Sequence, residues 1–204
     1  TFANSKEWKK NIKNKFKNKK IISINDKNKF DEVDIAIVWN LPKNILNKLP
    51  NLKIIFSLGA GVDHILKLKD YNKTPIVRIK DPLMAELMYY YVLSQILNYQ
   101  IGINEYKIAQ SKKIWRKEIL PTLNKDLKIG ILGLGYLGSL VGKYLARNNY
   151  KIIGYKKTKI KKEKFKMYYY NQLSNFIKSS DILINILPDT DETKNFINSN
   201  FLSL

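Results

Sequence analysis

The chain has no cysteine, one histidine, six prolines and nine glycines among its 204 residues. Without cysteine there is no disulfide, no thiolate zinc site and no thiol nucleophile, a composition that suits a reducing, cytoplasmic setting. Apolar runs are interrupted by Lys, Asn or Asp well before the about 20 residues that a membrane-spanning helix needs, so a membrane is not expected as a partner. The first thirty residues are rich in Lys and Asn and do not read as a secretory signal. The chain begins at Thr1 rather than Met, which reads as a processed or incomplete product.

Lysine is in excess. Thirty-seven basic against 17 acidic residues give a formal charge of +20, a field that in general suits nucleic acid or an anionic surface. Yet Arg78, Arg116 and Arg147 are the only arginines, and phosphate-reading surfaces favour arginine for its bidentate fork. Lys, Asn and Ile together make up 84 of the 204 residues, and all three share A/T-rich codons. Because the lysines are also spread along the whole chain, genome composition accounts for much of the charge, and nucleic acid is not expected as a partner. Apolar residues at 45% and aromatics at 12% are enough for packed cores.

Short β-rich runs alternate with helical stretches, the pattern of an α/β fold with mostly parallel sheets. Strands are expected at 20–24, 33–39, 52–57, 75–79, 127–132, 150–155, 166–170 and 181–187. Helices are expected near 4–17, 42–49, 61–69, 136–148 and 171–178. Several strand candidates, such as Ile35-Ala36-Ile37-Val38, are continuous apolar runs, as suits strands covered on both faces. A longer helix is expected over Met84–Tyr99, where positions 84, 87, 88, 91, 92, 95, 96 and 99 form a stripe that only Gln95 interrupts. Such a stripe is most often core, and it would equally suit an interface between two copies. The segment after it, 109–124, reads as a polar loop. The domain junction is placed at 80–82, dividing the chain into 1–82 and 83–204.

The strongest chemical signal follows the run Leu127–Leu132. There the chain reads Gly133-Leu134-Gly135-Tyr136-Leu137-Gly138 and continues into an apolar-periodic helix and a second strand. A G-x-G-x-x-G between strand and helix is the dinucleotide fingerprint. The first glycine allows a tight turn, the second a close approach of backbone to pyrophosphate, the third close packing of helix on strand. The helix N-terminus then offers unpaired N–H groups to phosphate. The bland alternative is a strand-turn-helix whose glycines serve packing alone.

The end of the second strand selects between dinucleotides. An NAD-selective site places an acid about 20 residues on, to hold the ribose hydroxyls. Here the sequence gives Tyr155-Lys156-Lys157-Thr158-Lys159, with no acid. Cations and a hydroxyl suit a 2′-phosphate, so NADP(H) is expected over NAD(H); lysine drift on a solvated turn is the competing explanation.

Taken in order, several segments resemble the D-isomer-specific 2-hydroxyacid dehydrogenases, in particular the bacterial glyoxylate/hydroxypyruvate reductase A type. They are Ile37–Pro42, Leu52–Asp63 with its Ser57-Leu58-Gly59-Ala60-Gly61-Val62-Asp63 loop, Val77–Asp81, Ile129–Gly138, and Asp181–Pro188 with Thr190 and Thr193. The resemblance implies two Rossmann/flavodoxin-like parallel-sheet domains, both incomplete in this chain. Residues 1–82 would be the N-terminal segment of a flavodoxin-like substrate-binding domain, and 83–204 a Rossmann NAD(P)-binding domain incomplete at its C-terminus. It implies that Ala60, Gly61 and Val62 receive a substrate carboxylate through their amides and that Trp39 borders the substrate. Leu187, Pro188 and Thr193 would lie by the cofactor. Read from the residues alone, paired glycines can converge amides on an anion, or simply turn the chain between strand and helix.

Reducing a 2-keto acid further requires a cation to clamp the carboxylate, an acid to protonate the new alkoxide, and a carboxylate to tune that acid. By resemblance these are an Arg, a His and a Glu or Asp downstream of the Leu-Pro strand end, beyond Leu204, so the chain is expected to be an inactive fragment with no catalytic residue of its own. His64, beside Asp63, does not occupy the acid's position, and adjacent residues on a helix do not face each other. The functional expectation is an NAD(P)H-dependent reductase of a small 2-keto acid, glyoxylate or hydroxypyruvate, pairing as a homodimer through the 84–110 helix region. The alternative is a non-catalytic dinucleotide-binding module or sensor.

Overall fold

The computed structural model describes residues 5–25, 27–117, 120–157 and 164–204. The chain divides into two compact units, Thr1–Lys80 and Asp81–Leu204. The division falls just ahead of the expected 82/83 junction because Asp81 belongs to the helix that follows: its carboxylate accepts from the N–H of Leu83 at 2.9 Å.

The first unit contains a parallel sheet of three strands, β1 (Ile35–Val38), β2 (Ile54–Ser57) and β3 (Ile76–Arg78), in the order β1-β2-β3. The register Ala36↔Ile55↔Ile76 turns these side chains to one face. Ile55 there packs with Ile45, Leu46, Leu49 and Ile65, flanked by Phe30, Val38 and Leu41. On the other face Ile35, Ile37, Phe56 and Val77 are exposed. Two helices, α1 (Ser5–Lys15) and the single turn α2 (Asp63–Leu66), complete the regular structure.

The second unit opens with α3 (Pro82–Gln100) and α4 (Ile103–Ser111). It continues with β4 (Lys128–Leu132), α5 (Tyr136–Arg147), β5 (Lys151–Lys156), β6 (Lys166–Tyr169), α6 (Leu173–Lys178), β7 (Ile182–Asn185) and α7 (Ser199–Leu202). All strands are parallel, in the order β6-β5-β4-β7. The two central strands β4 and β5 are the best covered, buried from Ile129 to Leu132 and from Ile152 to Tyr155, which fits their continuous apolar runs. One face joins Ile129, Ile131, Val141, Leu145 and Ile152 to Ile96 of α3. The other joins Leu132, Ile153, Tyr155, Phe176 and Phe201. A polar relay ties the end of α3 to the start of β5: the Tyr150 hydroxyl donates to Gln100 Oε1 at 2.8 Å, and Gln100 Nε2 donates to Asn124 Oδ1 at 2.7 Å. Among the described residues no helix is long and apolar enough to cross a membrane.

Several expected elements differ. Residues 20–24 form no strand; the run finds no neighbouring ladder among the described residues, and strand geometry is maintained by pairing. The helix expected over 42–49 shrinks to a turn at Leu46–Lys48, because Asn44 takes a left-handed φ of 61° that ends any helix begun at Pro42. The helix expected over 61–69 is the one turn of α2. The loop expected from 109 starts only after α4, whose polar face hid it from periodicity. The α3 stripe serves two purposes. Met88, Val92 and Ile96 pack on the core, and together with Leu87, Tyr91 and Tyr99 they line an open apolar groove of about 890 Å³ along β7.

Candidate functional site

The strand order of the second unit reverses at β4, with β5 on one side and β7 on the other. At such a switch point the loops leaving the two neighbouring strands diverge, and a crevice opens at their C-terminal ends. The glycine loop leaves β4 there. Gly133 has φ +91°, a conformation that side chains disfavour, and a Cβ on it would lie 2.4 Å from the carbonyl oxygen of Ile186. A Cβ on Gly138 would lie 2.2 Å from the Gly133 carbonyl oxygen, so α5 can approach the loop this closely only with glycine. Gly135 is different: nothing stands within 4 Å of where its Cβ would be. Packing does not demand glycine at 135, and a glycine there leaves the space beside the backbone open.

The helix behind the loop is uncapped. Gly135 is the N-cap of α5, and no side chain accepts from its first turn. Leu134 is buried beneath, Tyr136 is exposed at the rim, and Leu137 is partly buried. Open amides at a helix N-terminus, approached over a glycine with free space, fit a pyrophosphate. At the end of β5, Tyr155 is buried, with its hydroxyl donating to the Tyr170 carbonyl at 3.0 Å. Burial pushes that hydroxyl above its ordinary 10.0, so it stays neutral while Lys156 and Lys157 provide charge. Lys157 is exposed and paired with Glu192 at 3.1 Å. Thr158 and Lys159 lie outside the described residues.

Leu187 and Pro188 follow β7 on the opposite wall, 54 and 55 positions beyond Gly133 in sequence. Thr193 shapes their loop: its hydroxyl donates to the Pro188 carbonyl, and the Thr190 N–H donates to Thr193 Oγ1 at 3.0 Å. The turn then returns across the sheet, where Phe196 meets Tyr155 with ring centroids 6.2 Å apart.

In the first unit the C-terminal strand ends converge likewise. Trp39 leaves β1, the Gly59–Val62 loop leaves β2, and Arg78 ends β3. The buried Ser57 hydroxyl accepts from the Gly59 N–H at 3.2 Å. A Cβ on Gly59 would strike the Trp39 ring at 2.9 Å, so the indole lies directly on the loop. The Arg78 guanidinium donates to the Ala60 carbonyl at 3.4 Å. Arg78 was legible only as a cation at a strand end; the register Ser57↔Arg78 brings it to the loop. The His64 and Trp39 ring centroids are 6.4 Å apart, and His64 Nε2 is buried with no hydrogen-bond partner. Among the described residues, no group of three His, Cys, Asp or Glu could hold a metal ion.

Comparison with known proteins agrees with this geometry. The model of the D-isomer specific 2-hydroxyacid dehydrogenase NAD binding domain matches residues 93–204. Glyoxylate/hydroxypyruvate reductase A of Photorhabdus laumondii is 33% identical over 177 residues, covering 83% of this chain and 56% of that relative. The chain thus spans little more than half the length of that curated relative. Among solved structures, a probable 2-hydroxyacid dehydrogenase from Rhizobium etli, in complex with NADP, HEPES and L(+)-tartaric acid, superposes with TM-score 0.82 at 30% identity, over 91% of this chain and 60% of the other. An NADPH-dependent glyoxylate/hydroxypyruvate reductase from Sinorhizobium meliloti, in complex with NADP and sulfate, gives TM-score 0.76 at 31% identity, over 84% and 54%. By family model, identity and fold alike, the chain belongs to the D-isomer specific 2-hydroxyacid dehydrogenases.

Proposed function

We propose that this chain carries the dinucleotide-binding part of an NADPH-dependent reductase that converts a small 2-keto acid, glyoxylate or hydroxypyruvate, to the 2-hydroxy acid. The observation that carries the cofactor reading is the combination of an open Gly135 at an uncapped helix start with lysines, and no acid, at the end of β5. Gly133, Leu134, Gly135, Tyr136, Leu137 and Gly138 hold the pyrophosphate. Lys156 and Lys157 meet the 2′-phosphate, and Leu187, Pro188 and Thr193 form the opposite wall. Bound there, the cofactor supplies a hydride for the keto carbon. Ala60, Gly61 and Val62 offer amides to the substrate carboxylate, with Trp39 alongside as an apolar boundary. The cation clamp, the acid and its carboxylate partner lie, on this reading, downstream of Leu204. The NADP-bound Rhizobium and Sinorhizobium relatives support the cofactor choice.

Fluorescence titration of the 204-residue chain tests the cofactor assignment. NADPH should bind more tightly than NADH, and Lys156→Asp should reverse that order; unchanged affinities for both would remove the assignment. Turnover of glyoxylate and hydroxypyruvate by the full gene product tests the reaction.

A second reading is a dinucleotide-binding module without catalysis, consistent with the one histidine of these 204 residues having its Nε2 enclosed near Trp39 rather than free to deliver a proton. Cofactor binding by the full gene product with no turnover would select it. The exposed Leu83, Leu87, Tyr90, Tyr91 and Tyr99 of α3 support pairing of two copies through the 84–110 region, which light scattering would read as a doubled mass. A reducing cytoplasm suits a chain without cysteine.

A further inference from the structure

One ion pair spans the end of β4. Lys157 follows β5, Glu192 lies in the turn after β7, and β4 runs between those two strands. Lys157 Nζ donates to Glu192 Oε2 at 3.1 Å, with side-chain exposures of 51% and 76%. The turn that carries Glu192 is fixed from behind. Thr193, its neighbour, locks the turn through Pro188 and Thr190, the Lys194 N–H donates to the Thr190 carbonyl at 2.9 Å, and Phe196 packs on Tyr155 and Phe201. Although the end of β5 carries no acid, the fold delivers one to its lysine from 35 residues away.

We propose that Glu192 determines how strongly the site favours a 2′-phosphorylated dinucleotide over its unphosphorylated counterpart. This rests on the assignment of Lys157 to the 2′-phosphate. In the ligand-free protein the carboxylate neutralises Lys157. A phosphate arriving there must take the cation from Glu192 and then tolerate the displaced carboxylate nearby, and both effects weaken binding of NADP(H). NAD(H) carries a hydroxyl at that position, makes no claim on the cation and escapes both. Because the pair is exposed, the exchange costs little, so Glu192 sets the strength of the preference without abolishing it.

The test is fluorescence titration of the 204-residue chain with NADPH and with NADH at low salt, for wild type, Glu192→Gln, Lys157→Gln and the double variant. Glu192→Gln should tighten NADPH about two- to fivefold, the range expected for releasing one exposed ion pair, and leave NADH no tighter. In the Lys157→Gln background most of that gain should disappear. NADH binding serves as the control for folding in every variant. Equal tightening of both nucleotides, or no change in NADPH, would overturn the role of Glu192. If Lys157→Gln weakens NADPH while Glu192→Gln is silent, the phosphate assignment stands and this inference alone fails. If Lys157→Gln changes nothing, or the wild type binds neither nucleotide, the cofactor assignment fails and the inference falls with it.

Discussion

A methyl group at Gly138 would meet a backbone carbonyl, while one at Gly135 would meet nothing, and this separates packing from binding at two sites three residues apart. Backbone cannot rotate away as a side chain can, so Gly138→Ala should lose about 1–3 kcal/mol or more of stability in urea unfolding. Gly135→Ala should stay within about 1 kcal/mol of wild type, the scale of an N-cap change, and yet weaken NADPH about tenfold or more by crowding the phosphate. If both variants bound as wild type, the glycine pattern would be structural only. Tyr150 makes a different prediction. Burial raises its hydroxyl above 10.0, so the folded chain keeps that proton to higher pH than the unfolded chain. Its contribution is complete below pH about 10 and is lost as pH rises through the folded value. Tyr150→Phe should therefore flatten part of the alkaline fall in stability. At neutral pH it should cost about 1 kcal/mol, since Gln100 Oε1 loses its donor. Tyr155 is shifted in the same direction and keeps its own share of the alkaline slope.

At the scale of elements, what could be read early was whatever depends on local pattern. Continuous apolar runs such as Ile182-Leu183-Ile184 gave strands, and α5 begins and ends within a residue of its expected span because Gly135 opens it and Asn148-Asn149 closes it. Elements that depend on distant neighbours were not legible. Residues 20–24 have β-prone side chains and no ladder, α4 starts at a left-handed Gly102 with weak periodicity behind it, and α7 depends on the Asn198 side chain accepting from Phe201 at 2.9 Å. The same division holds for the site. The glycine loop is contiguous and was visible, whereas Glu192 meets Lys157 only because β7 pairs with β4. The turn after β7 yields its own prediction. Thr193→Val removes both the donor to Pro188 and the acceptor for Thr190, and should cost about 1–3 kcal/mol. It should weaken NADPH as the Leu187-Pro188 wall loosens, and Thr193→Ser should restore both. A valine variant that binds normally would mean that the wall does not depend on this turn.

At the scale of the whole molecule, the two units are unequally equipped to stand alone. The second buries side chains on both sides of its sheet, while the first leaves Ile35, Ile37, Phe56 and Val77 uncovered. Residues 81–204 expressed alone should unfold cooperatively and bind NADPH with the affinity of the longer chain. Residues 1–80 alone should bind an apolar dye and show no sharp transition, as expected of a small core covered on one side. A cooperative 1–80 would show that α1 and the loops suffice. The charge of +20 also acts at this scale: with lysines scattered, any affinity for DNA should be weak and short of the steep salt dependence that a row of phosphate contacts produces.

The placement of β4 between β5 and β7 has a kinetic consequence. β4 can zip with β5, and β5 with β6, soon after they emerge from the ribosome, but the other edge of β4 waits for β7, and the bond from the Lys128 N–H to Asp181 closes a separation of 53 residues. Pairings of that span are entropically late. The wall carrying Leu187 and Pro188 thus arrives later than the glycine loop, and the nucleotide lacks half its crevice until it does. Dinucleotide added to a refolding chain should leave the early phases unchanged and act only by slowing the loss of the β4–β7 pairing, so its capture marks the closing of that edge.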